Sequence, residues 1–183
     1  LSTILIIGVL LSCGNEMSEI KAFQFDANSP IEISTGVNMQ LSDAGTKRYL
    51  LSTPRIEKFL IDNEEVYQFP IGFQLRTYDS LGVEVTKISA KKGIMKQKLG
   101  EIVLTDSVRI RNINAERLAT DLLFVFVEKD SLFTDKPVTV SSLAGTLTGK
   151  FGLTSNLNFT EYKLNKVFGE IETKEMYNEQ ESE

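Results

Sequence analysis

The sequence predicts an all-β fold of short antiparallel strands. Three observations carry that prediction. Apolar and polar residues alternate in many short runs, which is the signature of a sheet with one buried face. Turn-forming clusters recur between the runs: Asp43-Ala44-Gly45, Asp79-Ser80-Leu81-Gly82, Asn112-Ile113-Asn114 and Asp135-Lys136-Pro137. No stretch of ten residues or more shows a convincing amphipathic helix.

At the N-terminus, Leu1 to Leu11 is almost entirely apolar. As a helix it would cover roughly 16 Å, too little for a hydrocarbon core of about 30 Å. Leu10-Leu11-Ser12-Cys13 looks like the lipobox that ends a bacterial lipoprotein signal peptide. Cleavage before Cys13 would leave its thiol to carry a diacylglyceryl group. The expectation is a signal peptide over 1–12 and a lipidated Cys13 at the head of a polar tether, 13–29. A buried apolar segment and the tail of a transmembrane helix completed upstream are the plainer alternatives.

The β domain is expected over 30–172. Its strand signals are Val37-Met39-Leu41, Val83-Val85, Ile88-Ala90, Val108-Ile110 and Val138-Val140, then the strict alternation Phe151, Leu153, Ser155, Leu157, Phe159. Arg55 to Ile61 fits a turn or two of helix, or a strand. Residues 173–183, with Glu175, Glu179, Glu181 and Glu183, read as a frayed acidic tail. A loose repeat runs through the domain. Gly45 with Leu51-Ser52-Thr53 and Arg55 resembles Gly82 with Ile88-Ser89-Ala90 and Lys92, and Asn114 to Thr120 offers a third copy. Stacked units of this kind suggest two facing sheets with a core along the stack. Leu122 to Val127 is apolar on both strand faces. Either a central strand is covered on both sides, or one face lines a lipid cavity.

Composition excludes much chemistry. The 183 residues contain no His and no Trp and a single Cys. That leaves no Ser-His-Asp triad, no His-containing zinc site and no internal disulfide. A net charge of -5 without a basic half argues against nucleic acid. Gly145 to Phe151 is no phosphate loop, having three residues between its glycines and Phe151 after Lys150. Nothing singles out a pair of carboxylates for glycoside hydrolysis. Asp62-Asn63-Glu64-Glu65 reads as a solvated turn and not a calcium loop. Asn158-Phe159-Thr160 is a sequon by pattern alone.

From about Val37 to Ile171 the chain resembles the LptC family, the periplasmic bridge component of lipopolysaccharide export, in a form like those of Bacteroidetes. The residues that carry the resemblance are Asp79-Ser80-Leu81-Gly82 with Ile88-Ser89-Ala90; Leu104 with Val108-Arg109-Ile110; Leu118 to Leu122; Phe133 to Val138; Gly149 to Leu153 with Asn156; and Val167-Phe168-Gly169. Two positions depart from the family pattern, Asp106 where glycine is usual and Asn156 where Asp is usual. A third departure is the lipidated cysteine in place of a transmembrane helix.

The resemblance implies a folded-over antiparallel β-jellyroll (a "β-taco", OstA/LptC-like) with an apolar trough between its sheets. It implies no enzymatic activity and no cofactor. It implies a protein on the periplasmic side of the inner membrane that takes lipopolysaccharide from the ABC transporter and passes it to the next bridge protein. The expected trough residues are Ile88, Val108, Phe124, Phe126, Val138, Val140, Leu153 and Leu157. The expected partner edge is around Gly149, Gly152 and Leu153, with the N-terminal edge near Val37 to Leu51 facing the transporter. The alternative is a lipid-binding or scaffold lipoprotein of the outer membrane without bridge partners.

Overall fold

Alternation of side chains across a pleat makes each apolar run pack one face inward, and turns at fixed intervals send the chain straight back. The result in the computed structural model, which describes residues 29–96 and 100–171, is fourteen antiparallel strands. They are β1 (Glu32–Asp43), β2 (Thr46–Ile61), β3 (Glu64–Phe69), β4 (Phe73–Tyr78), β5 (Glu84–Ala90), β6 (Lys92–Lys96), β7 (Glu101–Asn112), β8 (Arg117–Phe126), β9 (Ser131–Thr134), β10 (Val138–Ser142), β11 (Gly145–Gly149), β12 (Leu153–Asn156), β13 (Tyr162–Leu164) and β14 (Val167–Ile171). Arg55 to Ile61 is strand, the second half of β2. The expected signal peptide, Cys13, nearly all of the tether and the acidic tail lie outside the described residues.

The fourteen strands form one meander folded across its middle. The pairs β3/β4, β5/β6, β9/β10, β11/β12 and β13/β14 are each a single long strand broken by one to three residues. β1, β2, β7 and β8 run through unbroken. Each long strand pairs only with its neighbours in sequence. The first leaf holds the start of β2, then β4, β5, the end of β7, the start of β8, β10, β11 and β14. The second leaf holds the end of β2, then β3, β6, the start of β7, the end of β8, β9, β12 and β13. β1 lies along β2 over its whole length.

The crease is where the sequence breaks strand rules. Gly36 sits opposite Pro54, with positive φ and no ladder partner. Pro70-Ile71-Gly72 separates β3 from β4, Lys91 separates β5 from β6, and Asp135-Lys136-Pro137 separates β9 from β10. Neighbouring levels are bonded across this line. Thr53 Oγ1 donates to Gly72 O at 2.7 Å, Lys91 N to Asp106 O at 3.0 Å, and Thr120 Oγ1 to Pro137 O at 3.0 Å. The repeat legible in the sequence is this geometry: a rim turn, an inward-facing pair such as Leu51/Thr53 or Ile88/Ala90, then the crease.

The inward faces of both leaves meet in one contiguous core that includes Phe69, Phe73, Ile88, Leu104, Ile110, Leu118, Leu123 and Leu132. The alternation from Phe151 to Phe159 is strand only over Leu153–Asn156; Phe151 lies at the crease and Leu157 to Phe159 in a rim loop.

Candidate functional site

Six of the eight expected trough residues share the inner face. Ile88, Val108, Val138, Val140, Leu153 and Leu157 are all buried between the leaves. Phe124 and Phe126 are not among them. They are half-exposed on the outer face of the second leaf, where the Phe124 ring lies 6.0 Å from that of Phe133 and the Lys129 ammonium sits 5.3 Å over Phe126.

The cause is a bulge at the crease. Thr105 pairs with Leu122 and Val108 with Thr120, so Asp106 and Ser107 on β7 face Asp121 alone on β8. The two intervening residues leave β7 in phase, and the single one on β8 turns its alternation over. Leu118 and Thr120 point inward before the bulge, Leu123 and Val125 after it. Asp106 and Ser107 take left-handed φ values of 64° and 57°. Asp is one of the few side chains that enters this region readily, and it stands here where the family usually has glycine. Leu123 and Val125 are the inward-facing residues of this stretch, and the polar Asp121 inside an apolar strand is the signal in the sequence for the change of phase.

The residues expected at the partner edge do not lie at an edge of the sheet. Gly149 pairs with Val138 on one side and Val167 on the other, and Leu153 with Thr134 and Leu164. Gly152 packs against the Thr134 carbonyl. All three are interior to the sheet because β13 and β14 pair beyond them. Among the described residues the open edges are β1 at one end and β13 and β14 at the other.

At the β1 end the inner face is left uncovered. Val37, Met39 and Leu41 stand opposite Thr53, Leu51 and Tyr49, all inward-facing. Met39 is nonetheless 46% and Leu41 59% exposed. Near Leu41, an open depression of about 540 Å³ lies between the two rims and is bordered by Tyr49, Thr77, Asp130 and Asn158.

Further along, a loop bonds the two rims together like a strap. The loop from Leu157 to Glu161, on the rim of the second leaf, reaches the rim of the first. Thr77, Thr86 and Asn112 are cross-strand neighbours there, all buried. Thr77 Oγ1 donates to Asn158 Oδ1 at 2.9 Å and Thr86 Oγ1 to Asn158 O at 2.7 Å. Asn112 Nδ2 donates to Phe159 O at 2.7 Å. Phe159 is fully buried beneath the loop, stacked on Tyr162 at 4.8 Å. The Tyr162 hydroxyl donates to Glu116 Oε1 at 3.2 Å. Burial first, then the nearby Glu116 charge, raises its pKa above the ordinary phenol value. Asn156 Oδ1 accepts from Thr160 N and Glu161 N, a role open equally to the Asp usual at this position.

Among the described residues, no three His, Cys, Asp or Glu side chains stand together to hold a metal ion. Residues 3–170 match the family described as lipopolysaccharide-assembly, LptC-related. The chain belongs to the LptC family. Among curated proteins none matches it. Membership in the LptC family carries a role in lipopolysaccharide transport, in a family of inner-membrane-associated periplasmic components that are not known as enzymes. The antiparallel all-β structure agrees with the LptC β-jellyroll.

Proposed function

We propose that the chain is a bridge component that receives lipopolysaccharide acyl chains at its β1 end and hands them on from its β13/β14 end. The observation that carries this reading is the exposed pair Met39 and Leu41 on the inner side of β1, next to Val37, which packs on the core. Each methylene moved from water onto such a surface gains roughly 0.8 kcal/mol, so the task needs shape and no catalytic group. Ile88, Val108, Val138, Val140, Leu153 and Leu157 line the path, with Leu123 and Val125 taking the places expected of Phe124 and Phe126. The free ladder of β1 suits strand addition by the transporter's periplasmic domain, and that of β14 suits the next bridge protein. ATP hydrolysis in the transporter drives the transfer. The domain, 30–172, hangs from a tether, 13–29, whose Cys13 thiol carries the lipid anchor at the inner membrane after loss of 1–12, with 173–183 as a solvated tail.

The test is in-cell photo-crosslinking with a photoreactive residue at Met39, at Phe126 and at the exposed Lys129. A lipopolysaccharide adduct at Met39 and none at Lys129 is expected, with Phe126 weak. An adduct pattern that favours Phe126 over Met39 would move the lipid to the outer face and refute this path.

A further inference from the structure

The outer face of the first leaf concentrates positive charge in an acidic chain. Arg76, Lys87, Arg111 and Arg117 are directly cross-strand from one another on β4, β5, β7 and β8. At a strand spacing of about 4.8 Å this row spans roughly 14 Å. Arg109 stands in the adjacent row, opposite Ser89 and Ala119. Like charges directly opposite one another destabilise a sheet, so Lys87, Arg111 and Arg117 in one row oppose folding. Among the described residues Arg76 alone of the five has a carboxylate within 4 Å, Glu84 at 3.8 Å; the other four form no ion pair. Between the arginines lies a depression of about 290 Å³, rimmed by Arg109, Arg111 and Arg117 and floored by Ala119, Thr139 and Ser141.

We infer that this face docks on an anionic bilayer surface, its arginine hollow holding the phosphate of a phospholipid headgroup. Guanidinium forks match phosphate oxygens two at a time, and the small hydroxyl-bearing floor leaves room for them. The two rows carry, from Gln74 to Thr148, no side chain more apolar than alanine. Large apolar side chains stand at the ends of the rows, Leu50 beside Arg76 and Phe168 beside Thr148, so a protein partner would find no aromatic or aliphatic anchor at the centre, where such interfaces concentrate them. A headgroup layer needs none. The face lies on the opposite side of the leaf from the trough, so docking leaves the inner surface free, and the inference does not depend on what the trough carries.

The test uses the full chain in co-sedimentation with phosphatidylcholine vesicles, with and without phosphatidylglycerol. The readout is the difference between the two, which discounts partition of the apolar Leu1 to Leu11 run. Preference for anionic vesicles that weakens with added salt is expected. Arg111→Gln with Arg117→Gln should cut it about thirty-fold, two charges' worth at the bilayer surface. Removing the opposed pair relieves repulsion, so the urea midpoint should hold or rise; Lys87→Gln supplies a second variant if it falls. Equal binding to both vesicles, or an unchanged preference in the variants, would overturn the inference. So would full competition by inorganic phosphate at low millimolar concentration, which would make the hollow a free-phosphate site.

Discussion

Gly152 offers the sharpest test of the crease. Its φ is +88°, and a Cβ built there would lie 1.9 Å from the Thr134 carbonyl oxygen and 2.7 Å from its carbon. These are backbone atoms on the neighbouring long strand, so no rotamer change relieves the clash. Alanine must push two levels of the sheet apart by more than 1 Å, given a normal closest approach of 3.0 Å. The left-handed backbone adds about 1 kcal/mol, and overpacking in a rigid site about 1–3 kcal/mol or more. Gly152→Ala should therefore lose about 2–4 kcal/mol. Gly36 is the control. Its φ is +62° with nothing within 4 Å of a built Cβ, so Gly36→Ala should lose only about 1 kcal/mol. Equilibrium urea unfolding of the wild type and both variants, with the slope checked for constancy, measures the difference. If the two alanines cost the same within about 0.5 kcal/mol, the close approach at Gly152 is not what holds the crease.

Asn112→Ala removes one bond to the Phe159 carbonyl and two to Glu116, and should cost about 3 kcal/mol; amide exchange at Phe159 and Glu161 should accelerate as the strap loosens. Val125→Ala should cost about 2–3 kcal/mol while the larger truncation Phe124→Ala costs about 1 kcal/mol, since only Val125 faces the core; calorimetric melts that reverse this order would put β8 in the other phase. Glu65 is held below the ordinary carboxylate range, first by the hydrogen bond from Lys58 and then by that from Tyr67. A depressed folded pKa stabilises above the unfolded value and is lost as pH falls through the folded one. Glu65→Gln should therefore lower stability in the neutral region, slightly, since the pair meets solvent, and flatten the fall below about pH 4.5, so that the two profiles converge at low pH.

Much of this was legible in the sequence, and the gaps have physical causes. Ile88, Val108, Val138 and Val140 lie in short runs of one phase, and alternation puts each run's apolar side chains on one face without saying which way that face points; in the fold it points inward. Phe124 and Phe126 went astray because periodicity holds only within a ladder, and Asp121 interrupts one without any glycine or proline to announce it. Gly149 and Leu153 read as edge residues because the C-terminal strands look like the end of the sheet. Tyr162 to Leu164 and Val167 to Ile171 are too short and mixed to declare themselves as a further level. The strap was invisible for another reason: Thr77, Thr86 and Asn112 are ordinary polar residues until the crease brings them opposite Asn158, 72 or more positions away for the two threonines.

Because every long strand pairs only with those before and after it, the molecule is a ladder of near-identical rungs. Its stability is then close to a sum of nearest-neighbour terms, as in solenoids. Assembly advances hairpin by hairpin, with few of the distant closures that slow sandwich proteins. Adding or deleting a pair of rungs changes the length by about 10 Å without altering the cross-section. Length is thus a quantity that selection can tune in small steps, independently of what the cross-section accommodates.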